Sequence, residues 1–410
     1  MNIFFVSPYI GLPSVEGIRN AVYDIAKNLA KNSKNIRITL IGAYTEVSAL
    51  AISSETEYTQ TLPNQKVAAH YPSMNEIARQ VIKALRHNSP DIVHIHSANP
   101  AFVTFISTLI KTYSRNVPII VTLYSTNFDH RSVIRSEGYH GLALGISKLR
   151  FFLMNPLIKN SLLILMRKSI VNKLRCFNIR RMYFPHLISV DLPNTSFTKI
   201  KSLVHLSKDF KDFDRIIFFA GDLTPCKGLD YLLPVIRYLK DRWLRVLLII
   251  PDKGVYRYSS WRRKLILKTA EKYEVEDYIL FLDIIPRELI LHLLHRADLT
   301  VLPYTRDYYM MDIPMFLLES MSVGGLTLAS SVAAIPEILK DGDTGILTKP
   351  DSLVELRNKI YDVLSDPDNF EGLRKNAVRL VHRMFNKHKV IKKLSELYIN
   401  EILENARDLD

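Results

Sequence analysis

A carboxylate inside an apolar helical run is the first candidate for chemistry in this chain. Glu319 lies in the stretch Met311 to Pro350, which predicts a helix, a buried strand, a second helix and a tight turn. Asp312 is expected to cap the first helix and Ser331 the second, whose first turns carry Glu337. A buried carboxylate needs a partner or a chemical role. The stretch therefore predicts a ligand site at the carboxyl edge of a parallel sheet.

A lysine in a glycine-bounded loop is the second candidate. The strand-like run from Arg215 to Ala220 is followed by GDLTPCKG, which ends in Lys227 and Gly228. Thr224 is expected to cap a helix, with Pro225 at its first position. The helix N–H groups and the Lys227 ammonium would then meet the same phosphate. The alternative is a solvated lysine in a first helical turn.

Two histidines alternate along one predicted strand, Ile92 to His96. His94 and His96 share a face of the sheet, and His96 lies nearer the functional edge. No acidic or cysteine partner follows at metal-ligand spacing, which favours a hydrogen-bonded structural role for His94 over a metal site. The next predicted strand, Pro118 to Leu123, leads directly into Tyr124.

Strands and helices alternate along the whole chain, which is typical of an α/β protein with doubly wound parallel sheets. The first strand is followed by a loop, then by Gly17 and a helix. This arrangement fits an anion-binding turn at the helix N-terminus, and it equally fits a plain turn. A length of 410 residues suits two domains. We predict domains at 1–205 and 206–385, followed by a final helical segment at 386–410.

These segments resemble the donor-site signature of the retaining glycosyltransferases of family 4, which have the two-domain GT-B fold. In that family an upstream G-R-L-x-x-x-K-G segment precedes E-G-F-G-x-x-x-x-E-A-M-A-x-G-x-P, then P-E and D-G-x-x-G. The matching positions are Gly221, Lys227, Gly228, Glu319, Met321, Gly324, Pro336, Glu337, Gly342 and Gly345.

The resemblance implies that a sugar moves from a nucleotide-sugar, bound mainly by the C-terminal domain, to an acceptor bound by the N-terminal domain. The resemblance also implies that the sugar keeps its anomeric configuration and that the reaction requires neither a cofactor nor a metal. It further implies a C-terminal helix that crosses back onto the first domain. The implied catalytic residues are Lys227, Glu319, Tyr124 and His96. The implied donor-binding positions are Gly17, Asp222, Lys227, Met311, Asp312, Glu319, Ser331 and Glu337.

Three polar positions of the family are changed, at Tyr124, Asp222 and Met311. Asp222 replaces an arginine that would clamp phosphate with two parallel hydrogen bonds. Two hypotheses follow: a divergent enzyme with altered donor recognition, or a catalytically silent relative that binds a sugar nucleotide or glycolipid as a partner subunit. The enzyme is favoured because the charged residues Lys227, Glu319 and Glu337 remain.

Most of the net charge of +14 is concentrated in one segment of the chain, since residues 131–190 contain eleven Lys and Arg and one acidic residue. Residues 147–181 mix these cations with large apolar groups and are expected to form two helical pieces separated at Pro156. Such a segment could lie on an anionic membrane, or could pack as a helix pair with a solvated basic rim. Nucleic acid is not an expected partner, since no nucleic-acid motif is present. The proposed membrane or acceptor contacts are Lys148, Arg150, Arg167, Lys168, Lys173 and Arg175.

The cellular location is predicted from what the sequence lacks. Cys176 and Cys226 are far apart and without metal-ligand spacing, which favours a reducing interior. The start of the chain has no signal-peptide pattern, and no apolar run reaches membrane-spanning length. We expect a cytoplasmic protein, peripheral on the inner face of the cell membrane, with a nucleotide-sugar and a glycan or lipid-linked acceptor as partners.

Overall fold

The computed structural model describes residues 1–10, 17–32, 35–42, 50–52, 73–125, 161–173, 180–184, 209–252, 259–283, 285–307 and 311–407. The chain divides into two units. The first comprises Met1–Ile188, Met310–Asp312 and Phe385–Asp410, and the second comprises Ser189–Tyr309 and Ile313–Met384. The strand predicted at residues 187–191 and the linker predicted at 193–207 lie outside the described residues.

Within the described residues, the first unit is built on a seven-stranded sheet in the order β3-β2-β1-β4-β5-β6-β7. All neighbours are parallel except β2 and β3. The strands are β1 (Asn2–Val6), β2 (Arg37–Ile41), β3 (Leu50–Ile52), β4 (Ile92–Ser97), β5 (Ile119–Leu123), β6 (Leu162–Leu165) and β7 (Arg180–Tyr183). The inner strands are continuous runs of buried residues, as expected when helices cover both faces of a parallel sheet.

The helices of the first unit follow the predicted periodicity closely. They are α1 (Gly17–Asn32), α2 (Met74–His87), α3 (Pro100–Tyr113), α4 (Lys168–Lys173) and the C-terminal helix, numbered α12 below (Lys387–Arg407). The start of α2 is fixed by a capping box, in which Ser73 and Glu76 each accept a hydrogen bond from the other's backbone N–H.

The C-terminal helix α12 packs within the first unit, as the GT-B resemblance implied. Val390, Ile391, Leu394 and Tyr398 are buried along one face. Glu401 is also buried and accepts two hydrogen bonds, at 2.7 and 2.9 Å, from the guanidinium of Arg180 on β7. Burial raises the pKa of Glu401 and the Arg180 contact opposes this rise.

The expectation of two helical pieces at residues 147–181 is only partly met where the structure describes this segment, since Lys168–Lys173 is helical but the residues on either side of it form strands. Leu162–Leu165 is a buried strand between β5 and β7, and Arg180–Tyr183 is the last strand of the sheet. The apolar run LLIL therefore belongs to the core of the sheet and is not available to a membrane. A run of four apolar residues has no periodicity that separates a buried strand from a buried helix.

The second unit contains, among the described residues, a six-stranded parallel sheet in the order β10-β9-β8-β11-β12-β13. Its strands are β8 (Arg215–Phe219), β9 (Val246–Pro251), β10 (Ile279–Leu282), β11 (Leu299–Leu302), β12 (Thr327–Ser330) and β13 (Ile346–Thr348). Its helices are α5 (Leu229–Lys240), α6 (Ser259–Lys272), α7 (Arg287–Arg296), α8 (Met315–Ser322), α9 (Ile335–Ile338), α10 (Leu353–Ser365) and α11 (Glu371–Met384).

Both sheets reverse their strand order at one internal pair, β1 and β4 in the first unit and β8 and β11 in the second. The connections from these two neighbours run in opposite directions, which opens a crevice at the carboxyl edge of the sheet. Ligands of open α/β sheets bind at such a switch point. The loops after β8 and β11 are therefore the places to examine for a donor site.

Candidate functional site

The loop after β8 holds Lys227 in a buried position. A single 3-10 turn, Pro225–Lys227, precedes α5, and the backbone N–H of Lys227 donates to the carbonyl oxygen of Thr224 at 3.0 Å. The side chain is 6% exposed, and its Nζ lies 4.6 Å from the ring centroid of Tyr304. A cation on an aromatic face is attracted by the ring quadrupole. The ammonium is thus fixed beside the switch point of the sheet.

Tyr304 is a residue of the site that sequence reasoning missed. It follows β11 and donates from Oη to the carbonyl oxygen of Ala220 at 2.6 Å. Burial raises the pKa of Tyr304 well above its usual range, and the nearby Asp222 and Cys226 add to the rise. The phenol therefore stays neutral and serves as a hydrogen-bond donor and as the platform for Lys227. Its signal in the sequence was an aromatic residue directly after the buried run LTVLP.

The structure corrects the expected capping of this loop. Thr224 makes no side-chain cap, and α5 begins at Leu229 after Gly228. Both the hydroxyl and the backbone N–H of Thr224 donate to Oδ1 of Asp222, the latter at 2.8 Å. The carboxylate at the family's arginine position therefore closes the turn that precedes Lys227.

Gly228 is required by the conformation of this turn. Its φ is +72°, and a Cβ there would lie 1.9 Å from the carbonyl oxygen of Pro303. We predict that Gly228→Ala lowers the free energy of unfolding by about 2–5 kcal/mol, from left-handed strain together with the overlap. Chemical denaturation measures this change.

Gly372 near the start of α11 provides the matched control. A Cβ there meets nothing within 4 Å. Gly372→Ala is therefore expected to stabilise the protein by about 0.5–1 kcal/mol, because alanine loses less backbone freedom on folding. Equal stabilities of the two variants would contradict the assigned geometry.

Glu319 on α8 forms an ion pair with Arg287 at the start of α7. Oε1 of Glu319 lies 3.0 Å from Nε and 2.9 Å from Nη2 of the guanidinium. The two side chains are 10% and 29% exposed, respectively. The requirement that the buried carboxylate has a partner is thus met by Arg287. Sequence reasoning did not find this residue, since 32 positions separate the pair.

The ion pair engages one carboxylate oxygen of Glu319. Among the described residues, both arginine contacts go to Oε1, and Oε2 has no hydrogen-bond partner although it is not sealed from solvent. An ionised carboxylate accepts hydrogen bonds only. Oε2 is therefore available to a hydroxyl-bearing ligand, and the guanidinium limits the rotation of the group.

The expected role of Asp312 as an N-cap is wrong. Helix α8 begins at Met315 after Pro314, without a side-chain cap. Asp312 is buried and belongs to the first unit, where its backbone N–H donates to the carbonyl oxygen of Tyr124 at 2.8 Å. Met311, at the position of the family's first glutamate, is half-buried beside it.

Ser331 does not cap the following helix either. Helix α9 is a single turn that begins at Ile335 after Ala334, and Ser331 is exposed with its backbone N–H bonded to the carbonyl oxygen of Thr348 at 2.9 Å. Glu337 lies in the first turn of α9, where a negative charge suits the helix dipole. The predicted tight turn at residues 341–345 is confirmed, since Gly342 donates to the carbonyl oxygen of Gly345 at 3.0 Å.

The two histidines of β4 lie in a buried aromatic cluster of the first unit. Nδ1 of His94 is 2.7 Å from Oη of Tyr398, and Nε2 is 2.7 Å from Oγ1 of Thr122. The ring of His96 stacks on that of His94 at 3.9 Å, and its Nδ1 is 3.1 Å from Oη of Tyr124. The hydrogen-bonded structural role expected for His94 is confirmed.

His94 should make folding pH-dependent. Burial lowers its pKa from 6.5 to about 3. Below pH 6.5 the unfolded chain therefore binds a proton that the folded chain does not, and stability falls by about 1.4 kcal/mol per pH unit as the pH decreases. We predict that the stability difference between wild type and His94→Gln changes by about 2 kcal/mol between pH 6.5 and pH 5. Denaturant unfolding across this range measures it, with the exposed His382→Gln as control; parallel pH profiles for His94→Gln and wild type would contradict it.

Two family models match the sequence. The model described as Glycosyl transferases group 1 matches residues 205–379, and the model described as Glycosyltransferase Family 4 matches residues 15–165. The chain is a divergent glycosyltransferase of the GT-B family. The two matches lie in the parts of the chain that form the second and the first sheet.

Some proteins similar to this glycosyltransferase match nearly the whole chain at low sequence identity. The N-acetyl-alpha-D-glucosaminyl L-malate synthase of Bacillus anthracis is 19% identical over 96% of both sequences. Sucrose-phosphate synthase of Thermosynechococcus elongatus has a TM-score of 0.75, 17% identity and 98% coverage of both chains. HepE of Anabaena in complex with UDP-glucose has a TM-score of 0.69, 16% identity and coverage of 98% of this chain and 100% of its own. These structural similarities establish the GT-B fold.

The basic residues of the glycosyltransferase's first unit are partly committed to internal contacts. Arg167 donates from Nε to Oγ of Ser169 at 3.1 Å, and Nζ of Lys168 lies 5.0 Å from the ring of Tyr183. Lys173 is the last residue of α4. Lys148, Arg150 and Arg175 lie outside the described residues.

Metal clusters and membrane-spanning helices were both sought in the described part of the glycosyltransferase. No group of three or more His, Cys, Asp or Glu side chains there could hold a metal ion. No helix in the same ranges is long and apolar enough to cross a membrane.

Proposed function

We propose that this glycosyltransferase transfers a sugar, with retention of anomeric configuration, from a nucleoside-diphosphate sugar bound at the switch point of the second unit. The observation that carries the proposal is the placement of Lys227 and Glu319. Lys227 follows β8 and Glu319 follows β11, the two neighbours at which the strand order reverses. One supplies a buried cation for a diphosphate and the other an open carboxylate oxygen for sugar or ribose hydroxyls.

The leaving diphosphate is stabilised by Lys227. Negative charge grows on the diphosphate as its bond to the sugar breaks, and a fixed ammonium in a water-poor site lowers the energy of that state. Asp222 removes the family's second cation from this loop and instead shapes the turn through Thr224. Lys227 is therefore the charge on which this site depends most.

Glu319 recognises the ribose of the donor in this scheme. Its Oε2 accepts a hydroxyl hydrogen bond while Arg287 holds Oε1. The guanidinium also reduces the repulsion between the carboxylate and an approaching diphosphate. A uridine donor is the first to test, because the structurally similar HepE was solved with UDP and with UDP-glucose.

The acceptor in our proposal is a lipid-linked or membrane-associated glycan. Its support is the sequence of residues 131–190, where eleven Lys and Arg stand against one acid, a composition that suits an anionic membrane surface on the inner face of the cell membrane. The reaction needs no divalent metal, since Lys227 and helix termini supply the positive potential. Activity that is unchanged in EDTA is the expected result.

Donor turnover tests the proposal. Purified protein is incubated with UDP-, GDP-, ADP- and dTDP-sugars, and release of the nucleotide is measured with and without glycan acceptors. We expect slow hydrolysis of one nucleotide class, with the product sugar initially in the anomeric configuration of the donor by NMR. Binding of a nucleotide sugar without any turnover would instead favour a silent partner subunit.

A further inference from the structure

Helix α6 of the second unit displays a tryptophan to solvent. Trp261 is 61% exposed, and it is one of two tryptophans in the chain. Tryptophan side chains are concentrated at membrane–water interfaces, where the apolar ring and the polar N–H are both accommodated. A single exposed tryptophan does not identify a binding partner. The other side chains on the same face of the helix are therefore needed to identify it.

The exposed face of α6 combines apolar and basic side chains in one stripe. Leu265 lies one turn after Trp261 and is also exposed, and the same face carries three exposed lysines. At 3.6 residues per turn these five side chains fall within an arc of about 100° and over a length of about 16 Å. The stripe consists of Trp261, Lys264, Leu265, Lys268 and Lys272. Glu271 is the exposed acid at its border.

The opposite face fixes the orientation of α6. Ile266 and Ala270 are fully buried in the core of the second unit. Arg262 donates from Nε to the carbonyl oxygen of Leu223 at 3.0 Å and from Nη2 to Asp230 at 2.7 Å. The stripe is therefore presented by a helix that is anchored along its whole length.

We propose that the α6 stripe binds an anionic lipid surface. Lysines at an anionic leaflet gain electrostatic attraction, and a tryptophan and a leucine at the same level enter the headgroup region. The charge of the stripe supports this partner, since Lys264, Lys268 and Lys272 are exposed on it and Glu271 is the acid of the same helix. Leu162–Leu165, one apolar part of the basic segment at residues 147–181, lies in the core of the first sheet, whereas α6 has apolar and basic side chains together on one exposed surface.

The location of α6 relates this surface to the donor site. Arg262 contacts Leu223, which lies four residues before Lys227 in the same loop. The first turns of α6 thus lie at the edge of the sheet where the donor is proposed to bind. A membrane at this surface would bring lipid-linked acceptors near the donor, an inference that rests on the proposed function.

Tryptophan fluorescence tests the proposal directly. In a Trp243→Phe variant, Trp261 is the sole tryptophan, and its emission is recorded with vesicles of phosphatidylcholine alone or mixed with phosphatidylglycerol. We expect a shift to shorter wavelength with the anionic vesicles only, reversed by salt. The reciprocal Trp261→Phe variant leaves Trp243, which is 93% exposed and precedes β9 at the other edge of the sheet, and no shift is expected.

Charge reversal separates the stripe from overall charge. The Lys264→Glu, Lys268→Glu double variant should bind anionic vesicles at least about tenfold more weakly. Lys375→Glu with Arg379→Glu on α11 is the matched control, with the same spacing, exposure and charge change, and should bind like wild type. Equal weakening by both pairs, or a fluorescence response to nucleic acid but not to vesicles, would overturn the proposal. Donor hydrolysis is measured in the same variants and is expected to be unchanged. If the wild-type protein itself does not hydrolyse any donor, the proposed function is refuted, whatever the result of the vesicle experiments.

Discussion

Replacing Lys227 by methionine is expected to lower kcat/KM for the donor by about 10²–10³-fold, the usual cost of removing one preorganised charge at a developing anion. Methionine keeps the length and the contact with the Tyr304 ring but removes the ammonium, which lies 4.6 Å from the ring centroid. The effect should be mainly on kcat, since the diphosphate gains negative charge in the transition state. Steady-state donor hydrolysis measures both parameters.

Lys240 provides the matched control for this substitution. It ends helix α5, and its Nζ also lies over a tyrosine ring, 5.5 Å from the centroid of Tyr278. It lies at the opposite edge of the sheet from Lys227. Lys240→Met should leave donor turnover unchanged and lower stability by no more than about 1 kcal/mol. Similar turnover for the two variants would show that the buried lysine has no role in the reaction.

Glu319→Gln is expected to raise the donor KM by about 10–150-fold, the equivalent of one hydrogen bond to a charged group. Glutamine has the same shape but lacks the charge that pairs with Arg287, 2.9 Å away. The role of Oε2 can be isolated with 2′-deoxy-UDP and 3′-deoxy-UDP in place of UDP. Loss of the contacted hydroxyl should weaken binding to wild type and have little effect on Glu319→Gln. Equal penalties in both proteins would exclude Glu319 as the ribose acceptor.

Arg287→Ala tests whether the ion pair positions the carboxylate. It leaves Glu319 in place without its partner, so donor affinity should fall and stability should decrease by about 1–3 kcal/mol. If Arg287 contributes only to stability, the dependence of binding on the ribose hydroxyl would match that of wild type. Isothermal titration at a temperature at which the variant is folded distinguishes these outcomes.

The sequence was sufficient to predict the alternation of strands and helices, because parallel strands buried on both faces leave long apolar runs between amphipathic helices. The ends of three elements were predicted to within one or two residues. These are the helix Pro100–Tyr113, the strand that contains His94 and the strand that precedes the Lys227 loop. The short run Leu162–Leu165 was assigned wrongly, because four apolar residues fit a buried strand and a buried helix equally well.

Site residues could be predicted when their sequence neighbours identified them. Residues that reach the site only through tertiary contacts could not be predicted. Glu319 was identified by a charge in an apolar run, but Arg287 pairs with it across 32 positions. Ser331 and Thr224 have capping side chains, but neither caps a helix: the backbone turns at Ala333, with a φ of +50°, before α9 begins, and the Thr224 hydroxyl bonds to Asp222. Whether such a side chain caps a helix or makes another hydrogen bond depends on tertiary packing, which local sequence propensity does not reveal.

Titration of the protein with UDP by calorimetry tests the central claim most directly, because it requires neither the acceptor nor the correct donor sugar. We predict one binding site per chain, an affinity that weakens with salt, and binding that is strongly reduced in Lys227→Met and in Glu319→Gln while Lys240→Met binds normally. Absence of binding by UDP, GDP, ADP and dTDP to the folded wild-type protein would contradict the assignment of a nucleotide-sugar site to the switch point of the second unit.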